Sequence, residues 1–73
     1  MENNFKPIAA YELPAHIIGV LVEKFNTYTL LHAFQNDAGM YKLYLIFEAD
    51  TIHTVYINDD GSIVKAIEDS WDN

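Results

Sequence analysis

Residues 55–68, VYINDDGSIVKAIE, set an acidic turn closed by glycine between two runs of alternating apolar side chains. Spacing separates three uses of such a segment. A calcium loop of the EF-hand kind needs its glycine at the sixth position and a glutamate at the twelfth, between helices. Here Gly61 is the fourth residue from Asn58, and the flanks alternate as strands do. An acid–base pair of the glycosidase kind needs two carboxylates facing each other across a cleft, whereas Asp59 and Asp60 are neighbours at a tip. What remains is a three-residue hairpin loop, a type I turn followed by glycine in the left-handed bulge position. Asn58 and Ser62 then close the hairpin.

Outward from this turn, NDAG at 36–39 repeats the same chemistry and pairs Asn36 with Met40. YTLLHAFQ (28–35), YKLYLIF (41–47), TIHTVYI (51–57) and SIVKAIE (62–68) are rich in β-branched and aromatic residues, which suit a pleated, half-buried surface. Short links between successive strands make antiparallel neighbours, and EAD (48–50) joins Phe47 to Thr51 as another three-residue loop. Upstream, YELPAHIIGVLVEKFNT (11–27) reads as the one helix. Pro14 suits a first turn, where its missing N–H costs nothing; Glu12 suits the N-terminal end and Lys24 the C-terminal end. Ile17, Ile18, Leu21, Val22 and Phe25 recur at helical spacing, with His16, Gly19 and Glu23 opposite and Asn26 as a left-handed cap. The fold class expected is α+β: one N-terminal helix packed on a four-stranded antiparallel meander. It forms a single domain over 1–73, with 1–10 as an arm and 69–73 as a tail.

Period-two geometry sorts the sheet into faces. One collects Leu31, Ala33, Leu43, Leu45, Phe47, Val55, Ile57, Ile63 and Ile67, and is expected under the helix. The other collects Tyr28, Leu30, His32, Phe34, Lys42, Tyr44, Ile46, Thr54, Tyr56, Val64 and Ala66. One helix cannot cover both sides of a sheet, and this second face is too apolar for an ordinary solvated surface. The arm, through Phe5, Pro7 and Ile8, and Trp71 in the tail are local candidates to cover part of it. A one-residue slip at EAD would exchange the last two strands between faces.

Composition bounds the function. The chain of 73 residues is 51% hydrophobic and 14% aromatic, which supports a folded domain. At this size a chain buries only about 60% of its unfolded surface. Without cysteine, neither a disulfide nor a thiolate zinc site is available. The net charge is −7, and Lys6, Lys24, Lys42 and Lys65 are the only basic residues besides histidine. That opposes binding to nucleic acid and to anionic membrane. No apolar run approaches the ~20 residues of a membrane span. The start MENNFKPIAA lacks the charged head and apolar middle of a signal peptide. Two settings stay open: the cytoplasm, or the periplasm or exterior if a signal was trimmed ahead of this numbering.

Catalytic constellations are not evident. Ser62 and Ser70 are the only serines, one in a turn and one in the tail, and there is no cysteine nucleophile. His16, His32 and His53 lack the i, i+4 or i, i+2 spacing of metal ligands. Gly19, Gly39 and Gly61 stand alone, so no phosphate loop is present. The expectation is a protein without enzymatic activity and without catalytic, metal or cofactor residues.

ELPAHIIGVLVEKF (12–25) followed by alternating strands and VYINDDGSIVKAIE resembles the PepSY-like domains, which share the fold of the repeats in beta-lactamase inhibitory protein. The resemblance rests on the helix start Leu13, Pro14 and Ala15, the aromatic helix end Phe25, and Ile57 before the turn closed by Gly61, and covers about residues 8–68. It implies a helix packed on an antiparallel sheet, a role in binding or inhibiting other proteins through the exposed sheet face, and a secreted or periplasmic setting. This chain departs from the pattern in lacking a signal peptide and in carrying one unit where the inhibitor has two.

The function expected is a small protein-binding module that recognises a protein or peptide through the open face of its sheet, with Tyr28, His32, Phe34, Tyr44 and Tyr56 as contacts. Large aromatic areas with polar tips have interface composition. Closure of the same face into a homodimer and a small-ligand pocket between helix and sheet are the alternatives.

Overall fold

The computed structural model describes residues 4–25, 27–48 and 51–69. It is an α+β fold with one helix, α1 (Ala15–Lys24), and an antiparallel sheet of five strands in sequence order: β1 (Lys6–Ile8), β2 (Thr29–Gln35), β3 (Tyr41–Glu48), β4 (Thr51–Ile57) and β5 (Ile63–Asp69). The expected meander of four strands is β2 to β5; the fifth strand comes from the arm. Lys6 lies opposite Gln35, Pro7 opposite Phe34 and Ile8 opposite Ala33. Three residues around a proline carry no strand signal of their own, and proline is tolerated in a sheet only where its absent N–H would face outward. The edge beside β2 is such a place, and Pro7 there also blunts the outer edge against further pairing.

Both hairpin turns form as their residues dictate. The Asn36 N–H donates to the Met40 carbonyl at 3.0 Å, and the Asn58 N–H to the Ser62 carbonyl at 2.9 Å. Gly39 and Gly61 close them at φ of 91° and 95°, a region open to glycine and strained for a side chain. Asn36 Oδ1 accepts from the N–H groups of Ala38 and Met40. At the second tip Asp60 Oδ1 accepts from the Ser62 N–H and hydroxyl at 2.9 and 2.7 Å. These hydrogen bonds, the Ser62 N–H first, hold the Asp60 carboxyl below its usual range. The tip also docks on the helix, where His16 Nε2–H donates to the Asp59 carbonyl at 2.6 Å.

Three irregularities revise the faces. In β2, Leu30 lies opposite Leu45 and His32 opposite Tyr44, so Leu31 is an extra, bulged residue. A bulge reverses the facing of everything on one side of it. Leu30 and Tyr28, expected on the open face, therefore pack against the core, and Leu31, expected in the core, is exposed. In β5, Ile63 lies opposite Ile57 but Lys65 opposite Tyr56, which bulges out Val64. Ala66 then shares the helix-side face with its partner Val55, and Ile67, expected inside, stands 43% exposed beside Thr54. The third lies between Ile46 and Glu48, where Glu48 rather than Phe47 faces Thr51. Leu43 opposite Val55 and Tyr44 opposite Thr54 keep the expected faces, so no slip propagates through β4. Phe47 is described by its backbone alone, and Asn26, Ala49, Asp50 and Trp71 lie outside the described residues.

The helix is shorter than its sequence pattern. Ala10–Glu12 form a separate 3-10 turn, and Pro14 is the N-cap, its carbonyl accepting from Ile17 and Ile18. Ile17 and Leu21 are fully buried against Leu43, Leu45, Val55 and Ile57, with Leu13, Ala33 and Tyr41 completing the core. Val20 packs on this core while Val22, expected in the stripe, is 57% exposed. At 100° per residue Val22 stands about 140° from Ile17, beyond the flank of the buried arc.

Candidate functional site

The open face of the sheet is ordered as rows running across the strands. The first is Pro7, Phe34, Lys42, Tyr56 and Lys65, one residue from each strand, every neighbour a direct cross-strand partner. The second is His32, Tyr44, Thr54 and Ile67. The third is Thr29, Ile46, Ile52 and Asp69. The aromatic and cationic residues of the face thus gather in the rows nearer the two glycine turns.

Ring contacts tie the first two rows together. Phe34 and Tyr44 lie 5.4 Å apart between centroids, His32 and Tyr44 meet edge to face at 5.9 Å, and His32 stands 6.3 Å from Phe34. Such pairs prefer offset or edge-on geometry at these separations. The arm adds Phe5, whose ring meets Tyr56 edge-on at 6.0 Å. Lys42 lies at the centre, its ammonium 5.5 Å from the Tyr44 ring, 5.6 Å from Phe5 and 5.8 Å from Phe34. The Lys65 ammonium lies 5.0 Å from the Tyr56 ring. All four contacts are within cation–π range. Thr54, between Tyr44 and Ile67 in the second row, is buried.

Four of the five expected contact residues, His32, Phe34, Tyr44 and Tyr56, share this face. Tyr28 does not: the bulge at Leu31 turns it to the helix side, where it packs against the core. Phe5, Lys42, Lys65 and Ile67 escaped the list of expected contacts; Lys42 was expected on the face but not as a contact. Phe5 sits in an arm without periodicity, and Lys65 and Ile67 reach the face only through the bulge at Val64. A shallow depression of about 300 Å³ lies at the cationic end, lined by Phe5, Asn36, Met40, Tyr56, Val64 and Lys65.

The arrangement combines aromatic contact area with two ammonium groups. His16 is engaged with the second turn, His32 lies in the ring cluster, and His53 faces Leu45 on the helix side. Among the described residues no group of three or more His, Cys, Asp or Glu side chains converges as metal ligands would. Among them, too, no helix is long and apolar enough to cross a membrane. Comparison with protein-family models, with curated proteins and with solved structures gives no match to this chain.

Proposed function

We propose that this protein is a non-catalytic binding module that recognises a protein or peptide through the open face of its sheet. The observation that carries the reading is the contiguous cluster of Phe5, His32, Phe34, Tyr44 and Tyr56 around Lys42, on the side opposite the only described helix. Binding energy concentrates in such rigid aromatic groups, where a partner completes their desolvation. The likeness of residues 12–25 and 55–68 to PepSY-like domains points the same way, toward an inhibitor-like use of the sheet. Affinity capture with the wild type, the Tyr44→Ala/Tyr56→Ala double variant and a Val22→Ala control on the helix tests the reading. The double variant is expected to lose specific partners that the control retains, with its circular dichroism intact. Equal capture by a folded double variant overturns it.

A further inference from the structure

We infer that the segment bound by the open face is acidic, with carboxylates that neutralise Lys42 and Lys65 while its apolar side chains cover the rings between them. This rests on the binding role proposed above and names the partner's chemistry.

The charge distribution carries the inference. In a chain of net charge −7 with four lysines, two of those lysines stand in one row on the open face. Every carboxylate whose side chain is described lies elsewhere: Glu12 in the 3-10 turn, Glu23 on α1, and Asp37, Asp59 and Asp60 in the hairpin turns; Asp69, placed by its backbone opposite Ile52, is two rows away from Lys65. Lys42 is half-buried among three rings, and neither lysine forms an ion pair among the described residues. A partly desolvated ammonium without a counter-ion favours an incoming carboxylate, and rings at its flanks exclude water from that pair. A second copy would bring to this face no carboxylate whose side chain is described, so face-to-face closure leaves Lys42 and Lys65 without a described counter-ion.

Row geometry narrows the shape of the partner. Lys42 and Lys65 are separated by Tyr56 alone, two strand spacings or about 9.6 Å apart at the backbone. A polyproline II segment returns to the same side every third residue, about 9.3 Å along. Carboxylates three residues apart on such a segment, with apolar residues between them, match the row.

A random-peptide display library selected against the full chain tests this. Expected are sequences enriched in Asp or Glu at a spacing of three. Their affinity should fall about tenfold on replacement of those acids by Asn or Gln, and about tenfold in Lys42→Gln or Lys65→Gln protein. Lys24→Gln, at the helix end, should leave binding unchanged. Neutral peptides that depend on Tyr44 and Tyr56 but not on either lysine would overturn the acidic assignment and leave the binding role standing. Peptides indifferent to all four side chains, or no enrichment at all, would overturn both. Binding of an oligothymidylate probe as tight as that of the selected peptide, with the same dependence on lysine, would also overturn the assignment to a protein segment.

Discussion

On the helix side of the sheet Leu43, Leu45, Val55 and Ile57 have no exposed surface, while Lys42, Tyr44 and Tyr56, which alternate with them along the same two strands, stay half-buried. Strand propensity, register and turn chemistry are common to both faces, so none of these explains the difference. What differs is the cover: α1 lays Ile17 and Leu21 on one side, and among the described residues only Phe5 from the arm reaches over the other. Burial on the covered face stabilises the domain; apolar area on the open face stays accessible to solvent.

The comparison breaks most visibly in the core. Leu45→Ala removes a fully buried side chain and is expected to cost about 2–5 kcal/mol, a large share of the stability of so short a chain. Tyr44→Ala, one position away, should cost only about 1 kcal/mol, the scale of its ring contacts. Urea unfolding of both variants checks this, and equal losses would mean that the open face is a second core.

The bulge at Leu31 permits a sharper contrast between adjacent residues. Leu30→Ser is expected to destabilise by about 2 kcal/mol and Leu31→Ser by less than about 1 kcal/mol. The reverse order would restore uninterrupted alternation in β2 and return Tyr28 to the open face.

Smaller effects belong to the tips. Gly61→Ala forces a side chain to φ of 95°, with its new methyl 3.4 Å from Val20, and should cost roughly 1–2 kcal/mol in thermal unfolding. Smallest of all is the carboxylate of Asp60. Its folded-state affinity for protons is lowered from the ordinary value of 3.8. The stability contributed by the ionised form is therefore complete above that value and is lost as pH falls through the folded-state value. Melting curves of wild type and Asp60→Asn should differ by a constant amount from neutral pH down to about 4 and converge in more acid solution. A difference that grows with acidity would show that another group carries the effect.

Much of this was legible along the chain because it depends on local chemistry. NDAG and NDDG specify their turns through the side-chain acceptors Asn36 and Asp60 and glycines at positive φ, and both closing pairs follow from four or five consecutive residues. The buried helix residues Ile17 and Leu21, and the sheet core of Leu43, Leu45, Val55 and Ile57, follow from periodicity alone. Four of the five expected contacts share a face for the same reason. The failures are equally physical. A bulge adds one residue to a strand without altering its composition, so the reversals at Leu31 and Val64 leave no mark in the pattern. Recruitment of Lys6–Ile8 as an edge strand depends on the free side of β2, not on the three residues themselves.

The sequence by itself determined the class of fold, the order of the helix and of strands β2 to β5, and the chemistry of the turns, since each is set by interactions within a few residues. Only the tertiary structure decided which side chains meet on the open face. Register there is settled by the helix selecting the face it buries, and two bulges then bring Tyr28 inward and Lys65 outward. The row that sets Lys42 and Lys65 on either side of Tyr56 joins three strands, and its geometry exists only once the sheet has formed.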